Sequence, residues 1–184
     1  MKTLGILYAS TEGHTVAIGQ EIRAVAERQG YNVDLIHIAH VPENFHAELY
    51  DGLVLAASIH MGSYQKAMVR FVQEHLDALK VTPAAFVSVC LTAAVEDEEH
   101  REIVEGYIKA FQEQTGWHPE HIESVAGALL YTEYGVLKRW WMRLIAAQNN
   151  LDTDTSHDAV YTDWESLDHF VEDFLTQMEK TSPQ

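Results

Sequence analysis

Six residues near the start of the chain, Ser10, Thr11, Glu12, Gly13, His14 and Thr15, combine three hydroxyls with one glycine and no Lys or Arg. They lie between an apolar run, "TLGILYAS", and an amphipathic run that Gly30 closes. A strand feeding a helix through such a loop offers an anion exposed main-chain N–H groups, the positive end of the helix dipole and hydroxyl donors. Gly13 lets the backbone come close, and Ser10, Thr11 and Thr15 donate from their side chains. The loop lacks the Lys of G-x-x-x-x-G-K-[ST] and the spacing of G-x-G-x-x-G, which disfavours nucleoside triphosphates and dinucleotides and leaves the terminal phosphate of a mononucleotide. The plain alternative is a helix start capped by Ser10 or Thr11.

Two other stretches suit a flat ring. "SIHMGSY" supplies Ser58, Ile59, His60, Met61 and Gly62, and "LTAAV" supplies Leu91, Thr92, Ala93 and Ala94, small or apolar with few charges. His60 has the chemistry to pair with a ring carbonyl or move a proton, and a loop histidine facing water is the equal alternative. Cys90, the only cysteine, reads as a small core residue. The pairs His37/His40 and His118/His121 have no thiol or carboxylate set beside them, so no metal site is expected. No Ser-His-Asp set and no carboxylate pair stands out, and the sequence nominates no catalytic acid or base.

The elements that must position these loops are legible as alternating strands and helices. Strands are expected over 3–10, 31–38, 51–58, 84–91 and 121–131, and helices over 13–29, 64–79, 96–114 and 162–180, the last capped by Thr162 or Asp163. The acidic run 96–99 reads as a solvated first helical turn, where negative charge favours the dipole. Five near-continuous apolar strands separated by helices imply a parallel sheet covered on both faces, in the order 2-1-3-4-5. Ligands of such sheets bind beyond the carboxyl ends of the strands, where the loops at Ser10, Ser58 and Leu91 fall.

At 184 residues and 47% hydrophobic the chain suits one domain, 1–184, with a sizeable core. The formal charge of −16 argues against nucleic acid as a partner. No leader pattern and no spanning run of roughly 18 apolar residues is seen, so a cytoplasmic protein is expected. The alternation breaks over 132–161, an insertion too long and too aromatic for a linker. Within it, 136–149 splits on a helical wheel: Val136, Leu137, Trp140, Trp141, Leu144, Ile145 and Ala147 fill one half, and Lys138, Arg139 and Arg143 lie on the other. Basic residues opposite tryptophans suit the inner face of the cell membrane, and equally an apolar half packed on the domain.

"STEGHT" matches the [ST]-x-[TED]-G-x-T phosphate loop, and the chain resembles the flavodoxin-type FMN domains. A closer likeness covers about residues 2–175. "ILYASTEGHT", "AASIHMGSYQKAM", "AFVSVCL", "VAGALLYTEY" and "DTDTSHDAVYTDWESLDHF" together are similar to the bacterial menaquinone-dependent protoporphyrinogen oxidases of the short flavodoxin type. That family often carries Arg and Tyr after Ser-Ile, where this chain has His60 and Met61.

The resemblance implies a flavodoxin-like α/β fold and non-covalent FMN. It also implies oxidation of protoporphyrinogen IX to protoporphyrin IX, with six electrons passed in pairs to menaquinone or ubiquinone. Residues 10–15 would hold the phosphate, and 58–62 and 91–94 would flank the isoalloxazine. The insertion, with Tyr131, Tyr134, Lys138, Arg139, Trp140, Trp141 and Arg143, would face the porphyrin or the membrane. The rival readings are a flavodoxin-type electron carrier, which the acidity favours, and an FMN-dependent quinone reductase fed by a nicotinamide nucleotide.

Overall fold

The computed structural model describes residues 2–10, 13–94, 97–129 and 159–181. Five parallel strands form the sheet: β1 (Thr3–Ala9), β2 (Asn32–His37), β3 (Gly52–His60), β5 (Ala84–Cys90) and β6 (His121–Ala126), in the spatial order β2-β1-β3-β5-β6. A two-residue strand, β4 (Ser63–Tyr64), turns back on the end of β3. The main helices are α1 (His14–Arg28), α2 (Lys66–Glu74), α3 (Leu76–Leu79), α4 (Glu98–Thr115) and α5 (Trp164–Thr181). A separate antiparallel ribbon joins β7 (Ala128–Leu129) to β8 (Ala159–Val160).

Side chains alternate across each strand, and the two faces feed two cores. Leu4, Ile6, Val54, Ala56, Ala85 and Val87 face α1 and α5, meeting Ile18, Ile22 and Val25 of the one helix and Leu167, Val171 and Phe174 of the other. Leu7, Leu53, Leu55 and Phe86 face α2 and α4, against Met68, Val72 and Phe111. Each fully buried side chain of this size contributes roughly 1.5–3 kcal/mol, so the interleaved apolar strands fix the layering. Gly19 lets α1 lie close on the sheet, since a Cβ there would stand 3.0 Å from Leu35 Cδ1.

Two local details depart from the pattern read in the sequence. The helix expected over 64–79 begins at Lys66 and is divided at His75, whose φ and ψ are −110° and 16°. The last sheet strand stops at Ala126, and the chain after Gly127 leaves the sheet to pair with β8. The apolar pattern continues through "VAGALL", but the partner strand changes, and only tertiary pairing decides that. Of the two caps that the sequence offers for α5, Asp163 is the one used, its Oδ1 accepting from Ser166 N–H at 3.0 Å.

Candidate functional site

Strand register gathers three chain exits on one edge. Ala9 pairs with Ala57 and Ser58 with Val89, so the polypeptide leaves β1 at Ser10, β3 near Ser58–His60 and β5 at Leu91, all at the carboxyl ends of adjacent strands.

In the first exit Ser10 Oγ accepts a hydrogen bond from Gly13 N–H at 2.8 Å. Ser10 is not the helix cap: that position is Gly13, at φ 89°, a residue with no side chain to bond the helix start. Glycine holds this left-handed conformation without the penalty a Cβ brings. The first turn of α1 contains no acidic residue, and the space in front of Gly13 is open, since a Cβ there would meet nothing within 4 Å. The positive end of the helix is therefore left without a side-chain counter-charge among the described residues. Thr15, in the same turn, is only 1% exposed. The arrangement fits the phosphate that the sequence predicts, supplied with main-chain donors and a helix terminus instead of a cation. Thr11 and Glu12 lie outside the described residues.

His14 behaves differently from its neighbours. Its Nε2 is 2.7 Å from Thr162 Oγ1, and Thr162 Oγ1 donates its one proton to the Ala126 carbonyl at 2.8 Å. The hydroxyl is thus the acceptor toward the ring, and His14 Nε2–H is the donor. The imidazole also lies against the Trp164 indole, with ring centres 6.0 Å apart, and burial holds its pKa below the ordinary value. What His14 offers the loop directly is its main-chain N–H at the helix start.

At the second exit, Ile59 and His60 pair with Tyr64 and Ser63 around Met61 and Gly62, both with positive φ, 50° and 79°. Two left-handed residues in succession make the turn that matches the twist of a hairpin. Met61 stands out of it 90% exposed. Two side chains pin this hairpin down. Gln65 Nε2 donates to Ser58 Oγ at 2.8 Å, and the buried Tyr64 hydroxyl bonds Ser88 Oγ on β5, also at 2.8 Å. Burial, with a smaller contribution from Cys90, pushes the Tyr64 pKa up although the Ser88 hydrogen bond opposes it.

At the third exit, Leu91, Thr92, Ala93 and Ala94 form a short 3-10 turn of half-buried side chains. Cys90, just before it, is a buried free thiol, and its carbonyl accepts from Gly127 N–H at 3.2 Å. A polar helix end beside two uncharged loops can hold a phosphate at one side and a planar group at the other.

The structure therefore brings Ser10, Gly13, His14, Thr15, the 58–62 hairpin and the 91–94 turn to one sheet edge. Tyr131, Tyr134, Lys138, Arg139, Trp140, Trp141 and Arg143 lie outside the described residues, as does the wheel over 136–149. Sequence reasoning missed Tyr64, Ser88 and Gln65 as supports, and read Thr162 only as a cap. A two-residue strand leaves no periodic signal, and nothing local in "YTDW" announces a bond to a residue 148 positions away.

Comparison with known proteins gives consistent results. A family model described as a flavodoxin domain matches residues 5–156. A protein of Escherichia coli K12 named protoporphyrinogen IX dehydrogenase [quinone] is 32% identical over 180 residues, 98% of each chain. A protein of the same name from Leishmania major is 32% identical over 170 residues, 92% of this chain and 73% of that one. Among solved structures, oxidised flavodoxin 1 of Bacillus cereus superposes with a TM-score of 0.54 at 17% identity, over 95% of this chain and 98% of the other. A short-chain flavodoxin associated with a bacterial microcompartment gives 0.55 at 15%, over 97% and 99%.

Proposed function

The chain belongs to the flavodoxin-domain family, and from that premise we propose that it is an FMN-dependent dehydrogenase, oxidising protoporphyrinogen IX to protoporphyrin IX and delivering the electrons to a membrane quinone in haem synthesis. The observation that carries the substrate is the 32% identity to protoporphyrinogen IX dehydrogenase [quinone] across 98% of both chains. That span takes in the stretch after β6. The observation that carries the cofactor is the glycine-capped start of α1 facing the edge where the 58–62 and 91–94 loops emerge.

FMN supplies a two-electron acceptor that both the porphyrinogen and the quinone can reach in turn. Each porphyrinogen gives up six electrons and six hydrogens, so three quinones become quinols per porphyrin released. The chain's part is binding and orientation. His14 and Thr15 present main-chain N–H groups to the phosphate, with hydroxyl donation from Thr15. Ser10 Oγ holds the Gly13 amide, which sets the curve of the loop. Residues 58–62 and 91–94 bring few charges to the flanks of the ring, which keeps strongly hydrated groups away from it. The hairpin is held against β5 by Tyr64 and Ser88.

We place the porphyrin contacts on the stretch after β6, with Tyr131 and Tyr134, and the lipid contacts on 136–149. There Trp140 and Trp141 meet the headgroup region, and Lys138, Arg139 and Arg143 meet anionic lipid. Each basic residue near such a surface contributes on the order of 1 kcal/mol, so three give weak, reversible, salt-sensitive binding on the cytoplasmic side. None of the described helices is long and apolar enough to cross a membrane. The formal charge of −16 favours a second reading, an electron carrier that docks on basic partners.

One experiment separates the two readings. The FMN-loaded protein is mixed anaerobically with protoporphyrinogen IX, and a menaquinone analogue is then added. Bleaching of the flavin followed by rapid recovery is expected; absence of bleaching by the porphyrinogen overturns the dehydrogenase and leaves the carrier.

A further inference from the structure

The ribbon β7/β8 closes the base of the stretch 130–158. Ala128 pairs with Val160 and Leu129 with Ala159. The ladder continues inward, Tyr161 N–H donating to the Gly127 carbonyl at 3.3 Å and Thr162 Oγ1 to the Ala126 carbonyl at 2.8 Å. The outgoing and returning chains are thus fastened together from Ala126 to Leu129 and from Ala159 to Thr162. A side chain from α1 reaches this fastening. His14 donates from Nε2 to Thr162 Oγ1 and rests on Trp164, the first residue of α5.

We infer that His14 is a positioning residue that ties the phosphate loop to the β7/β8 fastening and the start of α5, so that FMN binding and that fastening favour each other. Three features make this more than a surface contact. The ring is half-buried. The donor direction is fixed, because the Thr162 proton is already committed to a main-chain carbonyl. And His14 is the residue right after Gly13, so whatever holds its side chain also sets the first amides of α1. An anion that needs those amides in place binds more tightly when they are held beforehand. By reciprocity, the occupied loop holds Thr162, and with it the base of the ribbon, by the same factor. The inference rests on the FMN reading of the site but not on porphyrin as substrate.

The test uses FMN affinity. Deflavinated native protein, His14→Ala, His14→Gln, Thr162→Val, Thr162→Ser and the His14→Ala/Thr162→Val double variant are titrated with FMN by fluorescence quenching, and the thermal midpoint of each apoprotein is recorded. His14→Ala and Thr162→Val should each raise the FMN dissociation constant by roughly fivefold to tenfold, the range of one neutral hydrogen bond. The double variant should be no worse than the weaker single. His14→Gln, whose amide N–H reaches the same place, and Thr162→Ser should stay within about twofold of native.

A purely structural bond would lower the apoprotein midpoints and leave the dissociation constants at the native value, and that result overturns the inference. So does additivity of the two single effects. If His14→Ala fails to fold, the comparison of Thr162→Val with Thr162→Ser decides, equal FMN affinity overturning the coupling. Failure of the native chain to bind FMN at all would instead remove the cofactor reading, and failure to oxidise porphyrinogen would leave the affinity arm intact.

Discussion

The loop after β1 and the hairpin after β3 leave neighbouring strands at the same sheet edge, yet they are built on opposite plans. The first uses backbone: a left-handed glycine, a helix end and an internal Ser10 hydrogen bond. The second uses side chains: Tyr64 driven into the core onto Ser88, Gln65 onto Ser58, and a non-glycine, Met61, held at positive φ. A charged group is best met by dipoles that cost no desolvation of a counter-ion, whereas an uncharged ring needs a surface fixed in place. The contrast predicts that damage to the first loop costs ligand and damage to the second costs fold.

The largest effect expected is on the first loop. Gly13→Val with Thr15→Ala forces a Cβ into the open space before the helix and removes a donor, each lost hydrogen bond to a charged group lowering FMN affinity by roughly ten- to a hundredfold. Equilibrium dialysis against FMN measures it, with far-ultraviolet circular dichroism to show that the helices persist. Retention of FMN at native affinity would remove the phosphate from this loop.

Next is Tyr64→Phe. Ser88 is fully buried, and without its partner the hydroxyl loses its bond, at about 1–3 kcal/mol of stability. Urea denaturation of the apoprotein should show that loss, while the FMN dissociation constant moves by less than about threefold. Loss of FMN binding with unchanged stability would reverse the comparison and make the hairpin the ligand-holding element.

Met61→Asn probes the strain in the hairpin. A non-glycine residue in the left-handed region costs of order 1 kcal/mol, and Asn followed by Gly is favoured in this turn. The substitution should raise apoprotein stability by about 0.5–1 kcal/mol. If turnover falls while stability rises, the exposed methionine side chain contacts the ring or the substrate; if both rise, its apolar character serves neither.

These two loops also mark what sequence reading can reach. The sheet order, the start of α1 near Gly13 and the position of all three exits were legible, because long apolar runs and a Ser/Thr/Gly loop are local signals, whereas the cap itself fell on Gly13 instead of a hydroxyl residue. The β3–β4 hairpin was not, since "HMGS" puts a methionine where the turn prefers Asn, and two paired residues are too few for alternation to register. The departure of β7 from the sheet was hidden for a similar reason: Gly127 interrupts an apolar run whose hydropathy is the same before and after the change of partner. The His14–Thr162 bond was beyond any local pattern, although both residues had been singled out for other roles.

The smallest effect is on pH dependence, and it separates the two plans by titration. Tyr64, pushed up by burial, stays protonated throughout the range in which the protein is handled, so the anchor of the hairpin gives a pH-independent contribution. His14 does not. Burial holds its folded pKa below 6.5, so above 6.5 both folded and unfolded chains carry it neutral and its contribution is complete. As pH falls below 6.5 the unfolded chain takes up the proton first, and stability drops until the folded pKa is also passed. Glu123 works in the other direction. Burial, and the charge of Asp163 after it, raise its pKa above 4.5, so acidification through the region above 4.5 protonates the folded carboxyl first and adds stability. The His14 component is therefore best read in a Glu123→Gln background. There, the apoprotein should lose stability as pH falls from 7 toward 5, and His14→Gln should flatten that slope, while Tyr64→Phe should lower the whole curve without changing its shape. A Tyr64→Phe curve that changes slope, or a His14→Gln curve that keeps it, would show that the two loops are not anchored in the different ways their geometry implies.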